Sequence, residues 1–263
     1  SNLPDVEDDL PNSDDLRNSH QTPASMVAAM RGLKPHGDPG GESQSEEHSG
    51  QNLLALIIEK KTGLPFADAM QRLVFEPFGM HNSGIDDDRP IEGPMAVGYR
   101  VDGTFGLKPA PMIHWSAIPG GGSAYTTVGD EWKWLQAILH GPLLTESSRK
   151  AMLETKDGFG WYVSQKQSPR LGESVMVSNG RAPGFSAILE YLPKENLAVI
   201  VLTNIEHDAN PLVIPEAVAM LRGKPYKPFD YSPVAARAAG RPAGDFVFGA
   251  DFYRASATLN LAT

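Results

Sequence analysis

Residues 173–203 read ESVMVSNGRAPGFSAILEYLPKENLAVIVLT. Three β-type runs stand in this stretch, at 173–178, 185–191 and 197–203, each rich in Val, Ile, Leu or aromatic residues. Only short turns separate them, and Lys194-Glu195-Asn196 supplies the polar residues of the second turn. Parallel strands need crossovers of a dozen residues or more, so these runs predict an antiparallel meander. A fourth run at 159–164 joins it upstream, and an apolar helix at 211–222 follows that can cover one face.

Upstream the periodicity is helical. Thr22-Pro23 opens a helix, with Thr as N-cap and Pro in the first turn, and Gly32 ends it. Leu53, Leu54, Leu56, Ile57 and Ile58 form an apolar helix that stops at Gly63. Pro65 begins another, with Phe66, Met70, Leu73 and Val74 expected on its inner face and an end before Pro77. Residues 34–51 and 77–125 read as loops. Thr127 and Asp130 then make a capping box for a helix through Leu139, closed by Gly141. A short helix follows Thr145. Helices followed by a block of antiparallel strands give an α+β class, an antiparallel β-sheet flanked by helices.

Composition narrows the functions. The chain has 263 residues, enough for a substantial core without a staple. It has no cysteine, which excludes a disulfide framework, a thiolate metal site and a cysteine nucleophile. Its net charge of −9 repels phosphate backbones, so no nucleic-acid partner is expected. Residues 1–50 hold ten acidic and three basic side chains, so most of that charge sits at the start. The longest apolar run, residues 53–58, is too short for a membrane span.

Several short matches are decoys on their local context. Ser147-Ser148-Arg149-Lys150 is the chain's one S-x-x-K, the spacing that sets an amine one turn from a nucleophilic hydroxyl, but it lies in a short polar helix. Lys61-Thr62-Gly63 matches K-T-G but ends a helix instead of lining a strand. Gly120-Gly121-Gly122-Ser123 has no following Lys and reads as a structural turn, not a phosphate loop. Asp86-Asp87-Asp88 reads as a solvated turn. Glu46-Glu47-His48 is an acid–imidazole cluster with two readings, wet loop residues or an acid/base or metal-ligand set, and His20, His36, His81 and His114 are further candidate partners.

Ordered segments carry a resemblance to one family. NLLALIIEKKTGLPF from Asn52 and FEPFGM from Phe75 resemble the helical stretch of serine β-lactamase-related hydrolases. That family includes class C β-lactamases, family VIII carboxylesterases, D-aminopeptidases and penicillin-binding proteins. GGSAYTTVGD from Gly121, WLQAIL from Trp134, GRAPGFS from Gly180 and VIVLTN from Val199 resemble its later segments, and SNLP at residues 1–4 resembles the end of its T-S-G-L-P stretch. The likeness extends over about residues 1–222.

The resemblance implies a β-lactamase/transpeptidase-like fold, incomplete at the N-terminus, in a domain at 1–224. Residues 225–263 would then be a linker and the start of an appended β segment. It implies acyl transfer from a small amide or ester substrate to water, with no cofactor and no metal. The family's S-x-x-K falls before Ser1, so the chain alone is expected to be inactive or incomplete. Its Y-x-N motif falls on Glu46 and His48, and its K-T-G motif on Ser178-Asn179-Gly180, with the Arg181 backbone N–H facing an oxyanion. Glu46, His48 and Ser178 are thus the catalytic candidates, and Gly180 and Arg181 the substrate-binding ones. Without the segments that precede Ser1, the sheet should present an unpaired edge and an open apolar face. The chain's own N-terminal segment in trans, or self-association, would cover them. A non-catalytic binding or assembly protein on the same scaffold is the second reading, and a metal-dependent hydrolase built on Glu46, Glu47 and His48 the third.

Overall fold

A computed structural model describes residues 2–11, 13–39, 48–102, 106–154, 162–164, 171, 173–206 and 210–226. In chain order its helices are α1 (Val6–Asp9), α2 (Ser13–Arg17), α3 (Pro23–Ala29), α4 (His48–Thr62), α5 (Phe66–Met70), α6 (Val128–His140), α7 (Glu146–Glu154) and α8 (Asn210–Leu221). Its strands are β1 (Gly84–Ile85), β2 (Tyr99–Asp102), β3 (Gly106–Pro109), β4 (Ala124–Tyr125), β5 (Tyr162–Ser164), β6 (Val175–Ala182), β7 (Phe185–Leu192), β8 (Leu197–Thr203) and β9 (Ile205–Glu206). The contacts separate into two compact units, Ser1–Met95 with Pro111–Leu144, and Ala96–Ala110 with Thr145–Thr263.

The first unit is helical. Thr22 caps α3, its hydroxyl accepting the Ser25 N–H at 3.1 Å while Ser25 Oγ accepts the Thr22 N–H at 2.9 Å. This reciprocal box fixes where the helix starts. α3 packs against α4, and Met26 and Ala55 are buried. α4 begins at His48, so residues 48–51 are helical where the sequence pattern suggested loop. A side chain 43 residues away makes the difference: Asp5 Oδ2 accepts the His48 N–H at 3.1 Å, at the turn whose donors lack helical partners.

α5 runs on into a π-helical turn, Gln71–Phe75. That turn is wider than an α-turn, and its extra residue shifts the phase of the buried stripe. Phe75 is buried, and Leu73, expected inside, is 51% exposed. α6 starts as the sequence predicts: Thr127 Oγ1 accepts the Asp130 N–H at 3.3 Å. Asp130 does not complete the box. Its carboxylate accepts the Asn82 N–H at 2.7 Å, the Ser83 hydroxyl at 3.0 Å and the Lys133 ammonium at 2.7 Å. Leu135 and Ile138 on the same helix are buried.

The second unit holds the meander in the order β5-β6-β7-β8, every pair antiparallel. β8 has the bounds read from the sequence, β7 is one residue longer, and β6 is shifted toward the turn. Residues 159–161 of the expected first strand lie outside the described residues. Register puts Val175, Ile188, Leu192 and Val199 on one face, packed against Ile214 and Val218 of α8. Six such buried apolar side chains form the core of this unit. Arg222, just past α8, is bonded to Glu173 and Glu195, so the helix end is tied beside the turn that starts β8.

Residues 96–110, read from sequence as irregular, contain the β2–β3 hairpin, whose first strand also pairs in parallel with β9. Gly184 (φ +85°) makes the approach possible: a Cβ there would stand 2.7 Å from the Gly98 Cα.

Candidate active site

The candidate residues of the second unit lie on β6. Ser178 pairs with Leu189 and Gly180 with Ala187, on the face turned away from α8. Arg181 pairs with Ser186 on the other face. Among the described residues β5 pairs with β6 only at Val175, Met176 and Val177. From Ser178 onward, therefore, no described strand lies along the outer edge of β6. Asn179, Gly180 and Arg181 are exposed there, and a Cβ built on Gly180 meets nothing within 4 Å. A strand edge that no other segment covers is where an extended amide or ester can lie, its carbonyl against backbone N–H groups.

The remaining candidates belong to the first unit. Glu46 and Glu47 lie outside the described residues. His48 is the first residue of α4 and is half-buried. Its neighbours are fixed tightly. Ser49 Oγ accepts the Val6 N–H at 2.9 Å, and Asn52 Oδ1 accepts the Gly120 N–H at 3.2 Å. The glycine turn is pressed onto this helix end: a Cβ on Gly120 would sit 2.1 Å from the Gln51 carbonyl oxygen, and one on Gly121 3.0 Å from the His48 ring. Gly120-Gly121-Gly122 is thus a wall beside His48. Ser178, Gly180 and Arg181 share one strand; His48 is held in the other unit.

A second polar cluster in the first unit gathers around Asp88. His20 Nδ1 lies 2.9 Å and His114 Nδ1 3.1 Å from Asp88 Oδ2, and the Ser116 hydroxyl donates to the same oxygen. Burial works to raise the Asp88 carboxyl, but these three hydrogen bonds outweigh it and hold the group below the usual carboxylate range. The Asp triplet is therefore more than the solvated turn its composition suggests. Ser, His and Asp are together here, yet Ser116 gives its proton to the carboxylate and accepts the Gln21 N–H at 2.9 Å. The hydroxyl is a tether joining three stretches of chain upstream of the glycine wall, not an activated nucleophile. The sequence named His20 and His114 only as possible partners of Glu46–His48; their partner is Asp88.

The decoys stay decoys. Ser147 and Lys150 are exposed on α7, and Ser147 Oγ meets the Thr145 hydroxyl at 3.0 Å. Thr62 of Lys61-Thr62-Gly63 donates to the Ile58 carbonyl within α4 at 2.7 Å. Tyr125 has its pKa raised by burial and by Asp86 and Asp87, which disfavours a phenolate. No group of three or more His, Cys, Asp or Glu among the described residues could hold a metal ion. No helix among them is long and apolar enough to cross a membrane.

Comparison with known proteins matches this arrangement to one family. A family model described as Beta-lactamase matches residues 1–220. The PbpX protein of Bacillus subtilis (strain 168) is 27% identical over 166 residues, 61% of this chain and 40% of that protein. Protein flp of Staphylococcus aureus (strain MRSA252) is 24% identical over 224 residues, 80% of this chain and 42% of that protein. The chain thus spans less than half the length of these curated relatives. Among solved structures, a penicillin-binding protein from Bacillus halodurans superposes with a TM-score of 0.66 at 22% identity, over 84% of this chain and 69% of that one. The octameric penicillin-binding protein homologue from Pyrococcus abyssi gives 0.64 at 24% identity, over 77% and 48%. The D-amino acid amidase from Ochrobactrum anthropi complexed with D-phenylalanine gives 0.63 at 18%, over 85% and 70%. These likenesses show the β-lactamase/transpeptidase fold.

Proposed function

The chain belongs to the β-lactamase family, and on that premise we propose that it forms the substrate-holding walls of a serine hydrolase that transfers an acyl group from an amide or ester to water. The observation that carries the reading is the edge of β6 at Ser178–Gly180, where the family's third motif falls and along which no described strand lies. In this reading the backbone at Gly180 and Arg181 receives the acyl carbonyl, and the Ser178 hydroxyl offers the substrate a hydrogen bond. Glu46 and His48 stand at the family's second-motif positions, the imidazole being the one of the two able to pass a proton near neutral pH.

None of these residues is an activated nucleophile. The one S-x-x-K within residues 1–263 is the exposed α7 pair. We therefore place the acyl-accepting serine and its lysine on polypeptide outside residues 1–263. The octameric relative supports self-association as a property of this scaffold.

The test is hydrolysis of nitrocefin, a β-lactam amide, and p-nitrophenyl butyrate, an ester. The chain alone is expected to turn over neither. The longer polypeptide read from its upstream coding sequence is expected to hydrolyse at least one, with loss of turnover after treatment with a serine-acylating agent. Silence of the longer polypeptide toward both overturns the catalytic reading. It would favour a binding or assembly role, for which the residues at the motif positions, Glu46, His48 and Ser178 in place of Tyr, Asn and a cation, are the specific observation.

A further inference from the structure

One acidic turn grips the glycine wall at both of its ends. Upstream, Asp88 Oδ2 holds His114 Nδ1 at 3.1 Å and the Ser116 hydroxyl, together with His20 Nδ1 at 2.9 Å. Downstream, the Asp86 N–H donates to the Ser123 carbonyl at 2.8 Å, beside the pairing of β1 with β4. Asp86 Oδ1 accepts the Asp88 N–H at 3.0 Å, so both grips belong to the same turn. Asp88 itself stands at φ +68°. A residue with a Cβ enters that left-handed region only at a cost, which the bonds to His20, His114 and Ser116 offset.

Between the grips the chain has little freedom. The Ile118 carbonyl accepts the Gly121 and Gly122 N–H groups at 3.1 and 3.0 Å, and Ser123 Oγ donates to the Pro119 carbonyl at 2.8 Å. Ser116, Ala117 and Ile118 are buried. The Gly120 N–H reaches Asn52 of α4. A displacement at the gripped ends is therefore passed on to Gly121. A Cβ there would stand 3.0 Å from His48 Cδ2 and 2.8 Å from Gln51 Oε1, so the backbone of the wall bounds the space in which the imidazole can turn.

We propose that Asp88 is a positioning residue for His48: it clamps the glycine wall, and the wall fixes the imidazole in the orientation from which it passes a proton. This inference deepens the role proposed for His48 above and rests on it.

The backbone at Asp88 makes the test clean. Glycine adopts φ +68° freely, so Asp88→Gly removes the carboxylate without adding strain. The readout is the imidazole Cδ2–Hδ2 resonance of His48 in two-dimensional NMR of the chain, assigned by its loss in His48→Gln. In Asp88→Gly this resonance is expected to shift or split, and the Gly120 amide to exchange with solvent about tenfold faster. Gly121→Ala, which leaves the bonds of Asp88 in place, is expected to move the same resonance. Arg89→Gln breaks the ion pairs of the turn with Asp68 and Asp87 and is expected to leave it unmoved. A His48 resonance unmoved in folded Asp88→Gly, or in Gly121→Ala, overturns the proposal. So does an equal shift in Arg89→Gln, which would reduce Asp88 to general support of the fold. In the longer polypeptide, Asp88→Gly is expected to lower kcat about tenfold while KM changes by less than about twofold. Asp88→Asn, which also tolerates a positive φ and keeps an acceptor oxygen, is expected to restore most of the loss. An active polypeptide whose kcat ignores Asp88→Gly overturns this inference and leaves the proposed function standing. A polypeptide silent toward both substrates overturns the two together, and a His48 resonance that still moves in Asp88→Gly then shows that the catalytic reading failed, not the clamp.

Discussion

Asp130 shows how far one side chain's role extends beyond its local signal. The sequence marks it as the fourth residue of a capping box, and the backbone half of that box forms. The carboxylate itself goes to Asn82, Ser83 and Lys133, and no local pattern predicts partners 48 residues away. Burial works to raise this carboxyl, and the bonds from Lys133, the Asn82 N–H and Ser83 outweigh it and hold it low. A carboxyl that titrates lower in the folded chain than its unfolded value of about 3.9 stabilises fully above that value and loses the contribution as pH falls through the folded pKa. Asp130→Asn is therefore expected to lower the unfolding free energy by about 2–3 kcal/mol at pH 7. The same substitution should matter clearly less in urea titrations near pH 3, and an equal loss at both pH values would contradict this role. Asp88 carries the same lesson: three adjacent aspartates read as solvent-facing because the histidines and serine that bind Asp88 come from residues 20, 114 and 116.

Elements were legible where their determinants are local. The Thr22 cap, the N-cap half of the Thr127 box, the glycine after α4 and the strand periodicity at 185–203 lie within one or two turns of the residues they organise, and each reads correctly. The start of α4 did not, because its cap is supplied by Asp5. The β2–β3 hairpin did not, because its strands are short and its placement depends on the close approach of Gly98 to Gly184. Leu73 was misplaced because an α-helical wheel cannot anticipate the π-turn at Gln71–Phe75. This contrast is measurable. Leu192 is fully buried between the sheet and α8, so Leu192→Ala is expected to cost about 2–5 kcal/mol. Leu73→Ala, at an exposed position, should change stability by no more than about 0.5 kcal/mol. Comparable losses in thermal unfolding would mean that the helix keeps its α phase in solution.

At the scale of the molecule, family and fold were readable from ordered segments spread along most of the chain, each weak alone and specific in sequence and spacing. The candidate site was readable only in part. That Ser178, Gly180 and Arg181 share one strand could be read because a strand register carries them, whereas the glycine wall beside His48 depends on contacts between segments some 70 residues apart. The account as a whole rests on the acyl-accepting serine lying outside residues 1–263. Intact-protein mass spectrometry after incubation with a penicillin and, separately, a fluorophosphonate tests that claim most directly. The account predicts an unchanged mass for this chain under both reagents. A stoichiometric acyl or phosphonyl adduct on any of its own hydroxyls would contradict it.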